Sequence, residues 1–108
     1  PLAFADAGHH PPSAARVWLL KKAQLLAAEL SLRFAARVPH FAFGDTASLT
    51  VFADNVLPVV LRRAQLLVLS PELEAWIDSG RVLPAGEQEL ELRALSVHVC
   101  DQLVRALQ

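Results

Sequence analysis

The sequence predicts an all-α fold, and three observations carry that expectation. Ala, Leu and Val dominate the composition while Gly is scarce and Tyr and Met are absent, a balance that favours helices over a turn-dense β-sandwich. Apolar residues recur at helical spacing in the first third of the chain, around its middle and at its end. One stretch, "SPELEAWIDSG", carries the chemistry of both helix ends. With 108 residues the chain is expected to form one multi-helix domain (1–108) with a modest core.

In chain order, residues 1 to 12 read as a loop, because Gly8, Pro11 and Pro12 interrupt any periodic pattern. Ser13 suits the N-cap of a long first helix reaching about Arg37. Val17, Leu20, Gln24 and Ala27 recur along one face of it, and Trp18, Leu19, Leu25 and Leu26 widen the stripe. Pro39 and Gly44 bracket the connection "VPHFAFGD", whose apolar content predicts that it packs down. A second helical segment is expected over Ser48 to Leu67, with Pro58 inside it or at the start of its second half. In the third, Ser70 is the N-cap, Pro71 takes the first helical position, Glu72 and Glu74 fill the first turn, and Gly80 follows the end. After the turn "VLPAGEQ", Glu87 to Leu107 form the last amphipathic helix.

Charge and composition exclude several function classes. The formal net charge is −1 with acids and bases mixed, so no broad positive field is available to hold nucleic acid, and no direct nucleic-acid partner is expected. Cys100, the single cysteine, rules out an internal disulfide framework and a multi-Cys zinc site; it fits a reducing, cytoplasmic setting and is expected to pack in the last helix. No apolar run reaches the roughly 18 residues of a membrane span, so no membrane partner is expected, and "PLAFADAGHHPP" does not read as a signal peptide. His9, His10, His40 and His98 have no metal-ligand spacing, so neither a metal nor another cofactor is expected.

The stretch "SLTVFADNVLPVVLRR" holds the residue of most chemical interest. Asp54 sits among Val51, Phe52, Val56, Leu57 and Leu61, where burial raises a carboxyl pKa unless a cation or hydrogen-bond donors compensate. Pro58 lacks the N–H that would bond the Asp54 carbonyl in a continuing helix, which predicts local irregularity beside the acid. The alternative is that Asp54 or Asn55 caps a helix starting there. Likewise Lys21 and Lys22 read, on their own, as a solvated pair on a helix surface.

Four ordered segments carry a family resemblance. "LTVFADNVLPVVLR" resembles the "LTxFADYRVPQxL" motif of the queuosine salvage proteins, which hydrolyse the N-glycosidic bond of queuosine 5′-phosphate to release queuine. "LLKKAQLLAAEL" is similar to that family's "YKRAQxLxADL", "FAFGDTASLT" to its "FxDxDxLT", and "ELELRALSVHVCDQL" to its "EVEIRAxSxxxxEL". The resemblance implies an all-helical fold of the kind likened to DNA glycosylases and a modified nucleoside 5′-phosphate as small-molecule substrate. By the same resemblance Asp54 is the catalytic aspartate and Lys22, 32 residues earlier, contacts phosphate or ribose. It extends in weaker form to Asp45, Asn55, Glu91 and Arg93 as substrate-binding residues; for Asp45 an N-cap role, and for Glu91 and Arg93 a structural ion pair, stand beside it.

The chain also departs from the pattern. Asn55 and Val56 replace the family's "YR" after the aspartate, Val59 replaces its Gln, and Asp101 stands where it has Glu. The match covers only the carboxyl-terminal portion of the family's longer chains, so a truncated or degenerate relative acting as a helical interaction domain is the second expectation. A DNA-glycosylase-like activity is the third, disfavoured by the charge and by the absence of a Gly-rich hairpin between helices.

Overall fold

A computed structural model describes residues 4–108. Helices dominate it, but it opens with a strand pair, so the all-α expectation is corrected to a mainly helical fold with one β-hairpin. Strands β1 (Ala7–His10) and β2 (Ala15–Trp18) pair antiparallel, with Ala7 opposite Trp18 and His10 opposite Ala15. Four α-helices follow: α1 (Lys21–Phe34), α2 (Leu57–Arg63), α3 (Pro71–Asp78) and α4 (Glu87–Leu107).

The hairpin replaces part of the expected loop; residues 1–3 lie outside the described residues. Pro11 and Pro12, which mark a break in any helix, open the 3-10 turn that reverses the chain, and Ala14 closes it at φ 54. Ser13 therefore caps no helix. Its hydroxyl bonds His10 Nδ1 at 2.6 Å within the turn. Helix α1 starts seven residues later than the sequence suggests, because β2 pairing holds Ala15–Trp18 extended and Leu20 turns the chain at φ 51. A left-handed leucine costs about 1–2 kcal/mol, and two donations onto one acceptor hold it: the Asp6 carbonyl accepts from the N–H groups of Leu19 and Leu20 at 2.9 and 3.1 Å.

The expected helix over Ser48 to Leu67 is also shortened. Thr46–Ser48 form a 3-10 turn, residues 49 to 56 run without regular structure, and only Leu57–Arg63 are α-helical. Pro58 is the second residue of α2, in the first turn, where its missing N–H costs nothing. The helix is not kinked at Pro58; it begins one residue before it. Helix α3 follows the sequence reading: Ser70 Oγ accepts from Leu73 N–H at 3.3 Å, and Gly80 leaves the helix at φ 75. The arginine fork of Arg62 ties α2 to α3 by bonding both oxygens of Asp78 at 2.7 and 2.8 Å and Glu74 at 2.8 Å.

The core is small. Leu19, Ala53, Leu61, Leu67 and Leu90 are buried together with Ser96, whose hydroxyl donates to the Leu92 carbonyl at 2.7 Å. Leu32, Val68, Val82 and Leu107 are each more than four-fifths exposed. The radius of gyration, 16.1 Å, exceeds the about 13 Å of a compact chain near this length.

Gly8 sets how closely the hairpin approaches α4. A Cβ at this position would lie 2.6 Å from Leu90 Cδ2 and 2.9 Å from Cδ1, and Leu90 is buried. Gly8→Ala should therefore destabilise the fold by about 1–3 kcal/mol, the usual cost of forced overpacking. Thermal unfolding beside Gly44→Ala, a position with no atom within 4 Å of the added methyl, checks it: equal midpoints for the two variants would show that the hairpin does not pack on Leu90.

Candidate functional site

Three chain segments far apart in sequence meet where β2 gives way to α1: the start of α1, the irregular segment before α2, and the first half of α4. Two side chains latch the first pair. Gln24 on α1 donates from Nε2 to the Leu19 carbonyl at 2.9 Å and to Thr50 Oγ1 at 3.0 Å, and its Oε1 accepts the Thr50 N–H at 2.8 Å. Both residues belong to motifs quoted above, "KKAQ" and "SLT". Their pairing gives those motifs a physical reason: they hold residues 50 to 54 against α1.

Asp54 then lies at the junction. Its Oδ1 accepts the N–H groups of Val56 and Leu57 at 3.0 and 2.9 Å, and its Oδ2 accepts from Lys21 Nζ at 3.1 Å. One oxygen thus holds the start of α2 and the other pairs with a cation. The carboxyl pKa is held below its usual range, first by the Leu57 N–H and next by Lys21, with the smaller effect of burial opposing them. The donors and the cation thus outweigh the burial that by itself would raise the acid. About a third of each side chain remains exposed, 35% for Asp54 and 32% for Lys21, so the ion pair is open to a ligand.

Lys21, one residue before the lysine singled out in the sequence, is the one that reaches Asp54. Lys22 is exposed on the adjoining face of α1 and makes no hydrogen bond among the described residues. Successive residues of a helix do not face the same way, and a shift of one position moves the side chain by about 100°.

Arg93 reaches the site from α4. Nε and Nη2 donate to the Ala53 carbonyl at 3.1 and 3.0 Å, Nη1 and Nη2 grip the Asp6 carboxylate, and Nη1 also meets Glu89 at 3.4 Å. Asp6 in turn accepts the Lys21 N–H at 3.3 Å. Its carboxyl pKa is lowered, chiefly by the Arg93 hydrogen bonds against an opposing effect of burial. Sequence reasoning missed Asp6. It sits beside no motif, and only the hairpin carries it to α4.

The other candidates lie apart. Asp45 is exposed ahead of the Thr46–Ser48 turn and forms no side-chain cap. Glu91 sits on α4 facing the hairpin, where His10 Nε2 meets its Oε1 at 2.7 Å; with Glu87 these ligand atoms lie within 4.8 Å of one another, a juxtaposition the spacing of the histidines did not suggest. Asn55 is exposed and lines a cleft of about 310 Å³ between α2, α3 and α4 together with Pro58, Val59, Arg62 and Arg93. Asp54 and Lys21 do not line that cleft, although Asn55, the residue after Asp54, does. Cys100 is half-buried on α4, and no helix among the described residues is long and apolar enough to cross a membrane.

Comparison with known proteins agrees with the motifs. Residues 3–108 match the family described as "Queuosine salvage protein". A Dictyostelium discoideum protein named queuosine 5′-phosphate N-glycosylase/hydrolase is 35% identical over 89 residues, which are 82% of this chain and 27% of that protein. A protein of the same name from Sphaerobacter thermophilus is 34% identical over 93 residues, 85% of this chain and 28% of its own length. The chain thus spans little more than a quarter of the length of these relatives. No solved structure matches it at a significant level. Four ordered motifs, two of which meet in space through Gln24 and Thr50, and a match over nearly the whole chain place this chain in the queuosine salvage protein family.

Proposed function

We propose that this chain is the part of an N-glycosidase that carries its catalytic carboxylate, and that the reaction is hydrolysis of queuosine 5′-phosphate or a related modified nucleoside monophosphate to the free base. The observation that supports this reading most directly is the Asp54–Lys21 pair, at 3.1 Å and partly open to solvent, on two of the segments that carry the family motifs. N-glycosidic cleavage develops positive charge on the ribose, and an ionised carboxylate stabilises it. An acid held below its usual pKa is ionised at neutral pH but is a weak base, so Asp54 acts by electrostatic stabilisation and by orienting the attacking water. The ammonium of Lys21 has three donors and spends one on Asp54, leaving two for ribose or phosphate. Lys22, exposed one residue on, is assigned to the phosphate from outside the pair, and Asn55 to the edge of the base through the adjoining cleft.

The chain is taken as one part of a longer enzyme, which fits the share of the relatives' length that it spans and its exposed apolar side chains. The direct experiment follows queuine release from queuosine 5′-phosphate by this chain and by the intact protein that contains it. Release by the intact protein is the expected result. No release by a folded intact protein would turn the reading toward a helical interaction domain.

A further inference from the structure

Arg93 is the most fully engaged side chain near Asp54. A guanidinium has five N–H donors, and five donor contacts leave it: two to the Ala53 carbonyl, two to the Asp6 carboxylate and one to Glu89. None remains for a phosphate or a base. Its side chain is 14% exposed and that of Asp6 25%, so neither is a surface charge held in passing. What they hold is specific. The Ala53 carbonyl belongs to the peptide unit that leads into Asp54, and Ala53 itself is 1% exposed, fixed in the core. On its other side Asp6 accepts the backbone N–H of Lys21, and its carbonyl accepts the N–H groups of Leu19 and Leu20 that stabilise the left-handed turn into α1.

We propose that Asp6 and Arg93 are positioning residues that act as one clamp, fixing the start of α1 at Lys21 and the peptide before Asp54 to the same helix and so setting the geometry of the Asp54–Lys21 pair. This inference rests on the reading of Asp54 as the catalytic carboxylate, and it moves Arg93 from binding substrate to aligning the groups that do. A misplacement of about 1 Å at reacting groups costs about 10²-fold in rate, which is the scale a loosened clamp reaches.

The test uses the intact protein with Arg93→Lys, which keeps the charge but has no planar fork, with Asp6→Asn, which keeps shape and an acceptor for Lys21, and with the double variant. Each variant is expected to lower kcat for queuine release by about 10–10²-fold with KM within about threefold of the parent. The acidic limb of the kcat/KM profile should move to higher pH as Lys21 drifts from Asp54, and the double variant should lose no more than the worse single one. Asp6→Asn is isosteric and carries the test if Arg93→Lys does not fold. Folded variants with a lowered melting temperature but unchanged kcat and unchanged acidic limb would reduce the clamp to a structural ion pair. A raised KM at constant kcat would return Arg93 to substrate binding. Asp54→Asn, run alongside, separates the two ideas: if it keeps activity, the catalytic reading itself fails and the clamp falls with it, whereas an inactive Asp54→Asn beside fully active clamp variants overturns the clamp alone.

Discussion

Replacing Asp54 by Asn in the intact protein should lower kcat for release of queuine from queuosine 5′-phosphate by about 10²–10⁴-fold, the range for losing one positioned charged group at a reacting centre. Asn retains a side-chain oxygen, which can go on accepting the N–H groups of Val56 and Leu57 and so keep the cap on α2. Stability should change little, and circular dichroism beside the kinetics separates lost chemistry from lost fold. The pH profile adds a second reading. On the proposed reading the active form is the carboxylate, and its pKa is depressed, so activity should be present above that pKa and lost as pH falls through it. The acidic limb of kcat/KM for the parent should therefore lie below pH about 4, the ordinary carboxyl range. A limb between pH 5 and 7 would mean that another group, or a protonated acid, carries the step.

The second large effect is expected at Lys21, and it separates two adjacent lysines. Lys21→Ala removes the only side-chain cation bonded to Asp54 among the described residues. It should lower kcat/KM by about 10²-fold, since Asp54 loses a partner and the substrate loses two donors. The acidic limb should move toward higher pH only part of the way, because the Leu57 N–H, the larger cause of the depressed pKa, stays in place. Lys22→Ala should leave the limb where it is and raise KM for the 5′-phosphate by about tenfold while scarcely affecting the unphosphorylated nucleoside, as fits a point charge on a phosphate. If Lys22→Ala moved the limb and Lys21→Ala did not, the pairing at Asp54 would be assigned to the wrong lysine.

These expectations depend on residues that the linear sequence made visible to very different degrees. The third helix was legible in full, because Ser70, Pro71 and Gly80 act on backbone groups within four residues of themselves. The last helix was legible at both ends, because its apolar period and first-turn acids are equally local. Pro58 was visible as a break, but whether it kinked a helix or began one depended on the Asp54 carboxylate turning back to cap residues 56 and 57. The first helix was placed too early, since Ser13 offers the same hydroxyl to a helix cap and to a hairpin turn, and only the partner strand decides between them.

By itself, the sequence determined that the protein is mainly helical, that its motifs are those of the queuosine salvage family, and that Asp54 is the acid to examine. Tertiary structure alone decided the rest of the site. Lys21 lies 33 residues from Asp54 and Asp6 lies 87 from Arg93, separations at which no propensity or spacing rule operates. They meet because Gly8 lets the hairpin lie against Leu90, which brings Asp6 to α4, and because Gln24 and Thr50 hold the segment before Asp54 against α1. Which of two adjacent lysines faces the carboxylate follows from where β2 ends and α1 begins, since each residue of shift turns a helical side chain by about 100°.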